Sequence, residues 1–140
     1  MFKDLNRADK SVIGSRALRL IEAERLRQIY ELGYGYDHDD GHETEELAAA
    51  AAFFLIPQLL NRDVCVVGED YTMQVLPLLD LIGTEAWSGL HRDDYEEPAL
   101  RVDVSIDARI NQLVKGLALG LAELERWMRV RERRAQRGDH

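Results

Sequence analysis

The stretch that most constrains the fold lies near the C-terminus, from about Ser105 to Arg133. Its apolar residues recur every three or four positions, a spacing that places their side chains along one face of an α-helix. They are Ile110, Leu113, Val114, Leu117, Leu121, Leu124 and Met128. This helix is the clearest element in the sequence. We interpret the stripe as hydrophobic core rather than a cofactor-binding face.

Two more segments have helical patterns. Apolar residues recur at three- and four-residue spacings between Ser11 and Leu32, and two glycines then interrupt the pattern. The next helix is predicted from an N-cap at Thr44 to Asn61, with Pro57 kinking or ending it. Five consecutive alanines followed by Phe-Phe-Leu-Ile leave this second helix almost no polar face. We therefore expect it to be packed on several sides.

The middle of the chain is less regular. Residues 63–67, DVCVV, predict an extended connector or one strand of a small hairpin. Residues 71–82 predict a short helix broken at Pro77, and residues 83–103 a polar loop that either covers a pocket or is an ordinary mobile connection. Cys65 has no second thiol with which to pair and is expected to be buried and inert. Residues 1–140 together predict one all-α helical bundle, with a frayed basic tail over residues 129–140.

Charge is unevenly distributed along the chain, whose net charge is −8. Residues 31–97 carry 2 basic and 16 acidic side chains, whereas both flanking segments have a basic excess. An acidic centre repels phosphate backbones, so we expect no nucleic-acid polymer as a partner; it attracts divalent cations or a basic partner, or is simply a solvated surface. No uncharged run has the length of a membrane span or a signal-peptide core, so we expect a cytoplasmic protein without membrane association.

The acidic segment contains a histidine-bearing stretch over residues 34–47, YGYDHDDGHETEEL. Its imidazole and carboxylate groups could bind zinc, manganese or iron, through His38, Asp39, Asp40 and His42. The same composition is typical of an ordinary turn between two helices. The residues themselves leave both interpretations open.

Carboxylates that could hold Mg²⁺ or Mn²⁺ lie after this turn and in the last helix. Glu43 and Glu46 would point the same way if the second helix extends back to include Glu43. Glu123, and less strongly Glu125, would approach from the last helix. Glu123 shares its face with small or polar residues that either leave room for a ligand or permit close helix packing. These are Gln112, Gly116 and Gly120.

Lys115, on the flank of the last helix, could offer a positive charge to a phosphate group. It could equally extend from the core to water. The sequence contains no P-loop, dinucleotide-binding pattern, serine triad or two-histidine zinc helix.

Two regions of the chain resemble a group of small phage and prophage proteins. In residues 22–56 the shared pattern is an arginine-rich helix with a glutamine, a Gly-aromatic turn, His-Asp-Asp-x-His, and then Glu-Leu and small residues. The matching positions are Arg25, Arg27, Gln28, Gly33, Tyr34, His38, Asp39, Asp40, His42, Glu46, Leu47 and Ala50. Residues 109–127 are similar to a closing helix with the pattern Arg-x-x-x-Leu-[Val/Ile]-Lys that ends in Ala-Glu-[Ile/Leu]-Glu-Arg. Its positions here are Arg109, Leu113, Lys115, Glu123 and Glu125.

This group is described as similar to the MazG-like all-α nucleoside triphosphate pyrophosphohydrolases. Those enzymes bind magnesium with a Glu-x-x-Glu pair on one helix and a Glu-x-x-Asp pair on the next, and they cleave between the α- and β-phosphates. The resemblance implies hydrolysis of a nucleoside or deoxynucleoside triphosphate to the monophosphate and pyrophosphate, with Mg²⁺ or Mn²⁺ as cofactor. It implies catalytic roles for Glu46 and Lys115. The metal ligands would come from Glu43, Glu46, Glu123, Asp39, Asp40, His38 and His42.

The match to the magnesium pattern is half complete. Glu43 and Glu46 fit the first pair, but no Glu-x-x-Asp follows on a helix at the usual distance. The second half of the metal cage would therefore come from Glu123 or from the turn at residues 38–40. Glu46 is then the expected ligand, and the histidine-bearing turn has an architectural or supporting part.

Two expectations about partners follow. A homodimer is expected, because one chain offers only three strong helices and the alanine-rich helix needs burial on more than one side. The alternative to an enzyme is a phage-encoded binding protein that blocks a host protein or sequesters a nucleotide in the host cytoplasm without turnover. A structural module without any small ligand is the third possibility.

Overall fold

The computed structural model describes residues 14–33, 35, 39–40, 45–57, 60–86 and 105–138. This part of the chain is mostly helical, so the helical fold class is confirmed, and it includes a two-stranded antiparallel sheet. The elements are α1 (Ser15–Tyr30), α2 (Glu46–Leu55), β1 (Asp63–Val67), β2 (Met73–Pro77), α3 (Leu78–Ala86) and α4 (Ile106–Gln136). Within the described ranges, no helix combines the length and apolar character needed to cross a bilayer.

The hydrophobic core surrounds α2, which packs against both α3 and α4. Leu47 and Phe54 of α2 and Leu119 of α4 are fully buried, and the rings of Phe53 and Phe54 meet edge to face with centroids 5.6 Å apart. The prediction that the alanine-rich helix is packed on several sides is confirmed. Its small side chains let neighbouring helices approach closely.

The C-terminal end of α2 differs from the sequence prediction. The helix stops at Leu55 rather than Asn61, because Ile56 precedes Pro57 and is held in an extended conformation. The Arg109 guanidinium of α4 donates to the carbonyl oxygens of Phe54 and Leu55, both at 2.9 Å, and so satisfies acceptors that the helix end leaves open. Pro57 is confirmed as a stop, and the extension to residue 61 was wrong.

The predicted helix over residues 71–82 is wrong in its first half, where the chain forms β2. Strand β2 pairs with β1 so that Cys65 lies opposite Val75. The turn between the strands is closed by Asp70, whose carboxylate accepts from the Thr72 main-chain N–H at 3.2 Å and hydroxyl at 2.6 Å. These bonds lower the pKa of Asp70. Cys65 is exposed, so the expectation of a buried cysteine was also wrong.

Helix α3 starts directly after Pro77 and includes Gly83 to Ala86, so the prediction that the loop begins at residue 83 is wrong. Its first turn is capped from β1's side of the hairpin, because the Asn61 side-chain carbonyl accepts from the Leu79 N–H at 3.0 Å. The rest of the predicted loop, residues 87–103, lies outside the described residues.

Helix α4 begins as predicted, with the Ser105 hydroxyl accepting from the Ala108 N–H at 3.1 Å. It continues to Gln136, so residues 129–136 are helical rather than frayed. The apolar stripe is not core, and that expectation was wrong: Leu117 is 44% exposed and Leu124 is 57% exposed. The opposite face packs into the protein. It comprises Gln112, Gly116, Ala118, Leu119, Ala122, Glu123 and Arg126.

Helix α1 shows the same inversion. Its two buried side chains are Arg25 and Gln28, whereas Leu18 and Leu20 are half exposed. In the two longest helices the buried surface thus combines polar side chains with small and apolar ones such as Leu119, while several large apolar side chains are exposed. Long polar side chains are rarely buried, and a continuous exposed apolar face usually marks a contact surface, so both features need an explanation.

Candidate functional site

Five buried polar side chains lie where α1 and the residue pair 39–40 meet α4. Each is at most 7% exposed. We call this set the polar junction: Arg25, Gln28, Asp39, Glu123 and Arg126. Long polar side chains are rarely buried unless they are paired, so each contact in the junction matters for what the site can do.

Arg25 ties the acidic turn to both helices. It donates to the Asp39 carboxylate at 2.6 Å, and its Nε lies 3.6 Å from Oε1 of Glu125 on α4. The Asp39 main-chain N–H in turn donates to the carbonyl of Gly35 at 3.0 Å, which holds the turn in place. Arg25 therefore neutralises the carboxylate of Asp39, an arrangement that suits an architectural role for Asp39.

Glu123 and Arg126 form an ion pair within α4, with Arg126 Nε donating to Glu123 Oε1 at 2.5 Å. The other carboxylate oxygen of Glu123, Nη2 of Arg126 and both amide atoms of Gln28 are buried with no hydrogen-bond partner in the part of the chain that the structure describes. A buried polar atom without a partner costs about 1–3 kcal/mol. Several of them together mark a place that suits a polar ligand.

Asp40 lies beside the junction and joins the turn to the end of α4. It accepts from Arg129 at 2.9 Å and from Arg133 at 3.1 Å. Burial raises the pKa of Asp40, but the hydrogen bonds and charges of the two arginines outweigh it and hold the pKa below its ordinary value. The acidic centre of the sequence thus meets its basic C-terminal segment within one molecule.

Glu46 lies at the same end of the molecule as Glu123. Helices α2 and α4 run antiparallel, since a Cβ on Gly116 would meet Leu55, while a Cβ on Gly120 would lie 4.0 Å from that of Ala51. One turn further along this contact, the start of α2 with Glu46 approaches the level of Glu123. The pairing of these two glutamates in one metal site stays a prediction.

Lys115 lies elsewhere on α4. It is half-buried and eight residues from Glu123, which corresponds to about 12 Å along the helix axis. The cation in contact with Glu123 is instead Arg126, and Arg129 and Arg133 contact Asp40; sequence reasoning missed these three arginines as site residues. Their three- and four-residue spacing, which places all three on one helical face, is the signal that could have identified them.

The remaining predicted ligands, His38, His42 and Glu43, lie outside the described residues. Helix α2 does not extend back through Glu45, whose φ of 67° is left-handed, so the continuous helix that would align Glu43 with Glu46 is interrupted there. In the described ranges no three His, Cys, Asp or Glu side chains are grouped as a metal site requires.

A groove of about 390 Å³ runs along the end of α4 beside the junction. The guanidinium of Arg126 lies 4.7 Å from the centroid of the Trp127 ring. Most residues that line this groove are basic. The lining residues are Asp40, Arg126, Trp127, Val130, Arg133, Arg134 and Arg137. Arginines beside an aromatic ring suit a ligand that carries both phosphate and a flat ring.

Comparison with known proteins finds no relative: no family model, no curated protein and no solved structure matches the chain. The geometry of the polar junction and its groove is therefore what bears on function.

Proposed function

We propose that this chain binds a nucleoside or deoxynucleoside triphosphate at the polar junction and hydrolyses it to the monophosphate and pyrophosphate, in a fold of the MazG-like type. The observation that carries the proposal is the set of buried polar atoms that have no hydrogen-bond partner among the described residues, namely the second carboxylate oxygen of Glu123 and the amide of Gln28. A nucleotide with its counter-ion would supply the missing contacts.

The residue types suit that ligand. An amide both donates and accepts hydrogen bonds, so Gln28 matches the edge of a nucleobase or a ribose hydroxyl. The arginines of the groove match phosphate oxygens, which guanidinium groups bind with two parallel hydrogen bonds. Trp127, 44% exposed, offers a surface on which a base could stack.

Carboxylate oxygens are what Mg²⁺ or Mn²⁺ prefers, and the buried Glu123 oxygen that has no donor among the described residues would suit such an ion, with Glu46 of α2 as the proposed second ligand. The ion would neutralise the phosphates and lower the pKa of a bound water. Glu46 would orient the attacking water, and Arg126 would stabilise charge on the leaving group. Lys115 could share that role only with a ligand long enough to reach it.

The test is pyrophosphate release across the common NTPs and dNTPs with Mg²⁺ or Mn²⁺. We expect Glu123→Gln and Glu46→Gln to lower the rate at least about 100-fold, the size of effect seen when charge stabilisation is lost. Glu132→Gln, an exposed carboxylate on the same helix, is the matched control and should retain the wild-type rate. Absence of release with every nucleotide and metal would overturn the enzymatic proposal.

A second candidate is a binding protein that holds a nucleotide or a host protein without turnover. It is favoured by the arginine contacts of Asp39, Asp40 and Glu123, which neutralise carboxylates that a metal cage would need. A ligand that binds the native state raises the melting temperature by mass action. A rise with nucleotide alone, together with no pyrophosphate release, would select this candidate. If neither nucleotide nor metal raises the melting temperature, only a role without a small ligand remains.

A further inference from the structure

We propose that two copies of this chain associate through the outward face of α4, with the two helices antiparallel. The face is defined by six apolar residues, and we call it the outer stripe: Ile110, Val114, Leu117, Leu121, Leu124 and Met128. This inference does not depend on the proposed nucleotide chemistry.

The spacing of the outer stripe is that of a coiled coil. Its residues alternate four- and three-residue steps from Ile110 to Met128, which keeps one seam facing a partner helix. Five of the six are 36–57% exposed, and Val114 is half-buried. The residues that pack into the protein, such as Gly116, Leu119 and Glu123, lie on the opposite side of the helix. Most of the outer stripe therefore remains exposed within one copy of the described fold.

The partner surface that best matches the outer stripe is the outer stripe of a second copy of this chain. In an antiparallel pair centred near residue 119, Ile110 faces Met128 of the partner subunit, and Leu117 faces the partner subunit's Leu121. Val114 then faces Leu124 of the partner subunit, so every layer of the seam is apolar. A contact of this kind is self-complementary, as a two-fold dimer requires.

Charge at the ends of the stripe decides the direction. The next seam positions beyond the apolar residues are Asp107 and Arg131, both exposed. An antiparallel pair places Asp107 opposite Arg131 of the partner subunit at both ends. A parallel pair would place like charges opposite each other at both ends, which is unfavourable.

Sedimentation velocity over a range of concentrations tests the association. We expect a dimer for the wild type, and for Leu117→Glu a dissociation constant raised at least about 30-fold, as for an interface residue worth about 2 kcal/mol. Met73→Glu is the matched control, since Met73 is 74% exposed on the hairpin, and it should dimerise like the wild type. A monomeric wild type, or equal association of Leu117→Glu, would overturn the proposal.

Charge reversal tests the interface without an apolar-to-charged change. Asp107→Arg and Arg131→Glu should each weaken the dimer, and the double variant should restore it. Both sites are exposed, so folding is expected to survive, and circular dichroism checks this. Failure of the double variant to restore association would contradict the antiparallel pairing.

A distance measurement gives the direction independently. With the exposed Cys65 replaced by serine, a spin label at Ile106→Cys should give a separation of about 40 Å across an antiparallel dimer, because the two sites lie 26 helical positions apart along the seam. A separation of about 10 Å, the distance between neighbouring helices, would show a parallel dimer instead.

Discussion

Replacing Gly116 and Gly120 by alanine provides a matched test of how closely α2 and α4 pack. Both glycines lie inside α4, where alanine is favoured over glycine by about 1 kcal/mol. A Cβ on Gly116 would lie 2.7 Å from Leu55 Cγ and 3.0 Å from the main-chain oxygen of Ala51. The Leu55 side chain can rotate away, but the Ala51 oxygen cannot move unless α2 shifts.

Gly120 makes no such contact, because the nearest atom to its Cβ would be the Cβ of Ala51 at 4.0 Å, an ordinary van der Waals distance. We therefore expect Gly120→Ala to stabilise the fold by up to about 1 kcal/mol. Overpacking costs about 1–3 kcal/mol, so Gly116→Ala should be close to neutral or lose up to about 2 kcal/mol. The difference between the two variants, about 1–3 kcal/mol, measures the clash because the helix-propensity term is common to both.

Urea unfolding followed by circular dichroism at one fixed protein concentration gives both free energies of unfolding. The slope of each transition should match that of the wild type. If Gly116→Ala proves as stable as Gly120→Ala, the close approach of α2 and α4 at Gly116 is refuted.

Three more predictions follow from the contacts of single residues. The pKa of Asp40 is lowered in the folded protein, so its ionised carboxylate contributes stability above the ordinary pKa of 3.8, and this contribution is lost as the pH falls through the folded-state pKa. The difference in unfolding free energy between wild type and Asp40→Asn should therefore be constant from pH 5 to about pH 7 and shrink below about pH 4. Acid titration of both proteins checks this, and a difference that persists at the lowest pH would contradict it. Arg109→Met should lose about 2 kcal/mol of unfolding free energy, because two carbonyls at the end of α2 lose a charged donor. Arg109→Lys should lose less, because the lysine amine still donates to one of these carbonyls but reaches fewer acceptors than a guanidinium. Equal stability of all three proteins in urea would show that this contact is not formed. The exposed Cys65 thiol should react with a thiol reagent in the native protein nearly as fast as in urea, and strong native-state protection would argue against the hairpin placement.

Local signals in the sequence were sufficient for several elements. The start of the last helix near Ser105 and the stop of α2 at Pro57 were both readable, because helix-start and proline effects act within one turn of chain. The strand over residues 63–67 was recognised, but its partner was not. The turn residues from Gly68 to Thr72, between the valine-rich residues 63–67 and the mostly apolar residues 73–77, are the signal that was overlooked.

The candidate site was only partly accessible to sequence reasoning. Glu123 was placed on the same helical face as Gln112 and Gly116, and the structure buries that face. The shared helical face of Arg126, Arg129 and Arg133 was readable from their spacing, but the pairing of Asp40 with Arg129 joins segments 89 residues apart. No local pattern reports contacts of that kind.

By itself, the sequence determined that the chain forms amphipathic helices, where several of them begin and end, and that the last helix carries a continuous apolar stripe. Periodicity shows that a helix has two unlike faces, but it does not show which face is turned inward. The tertiary structure decided that: the alanines of α2 and Gly116 let α4 pack closely with its small and polar face, and Arg25 with Asp39 joins α1 to the turn. Because those contacts use the face of α4 that holds the small and polar residues, the apolar stripe is left on the outside, where it would need a partner to be buried.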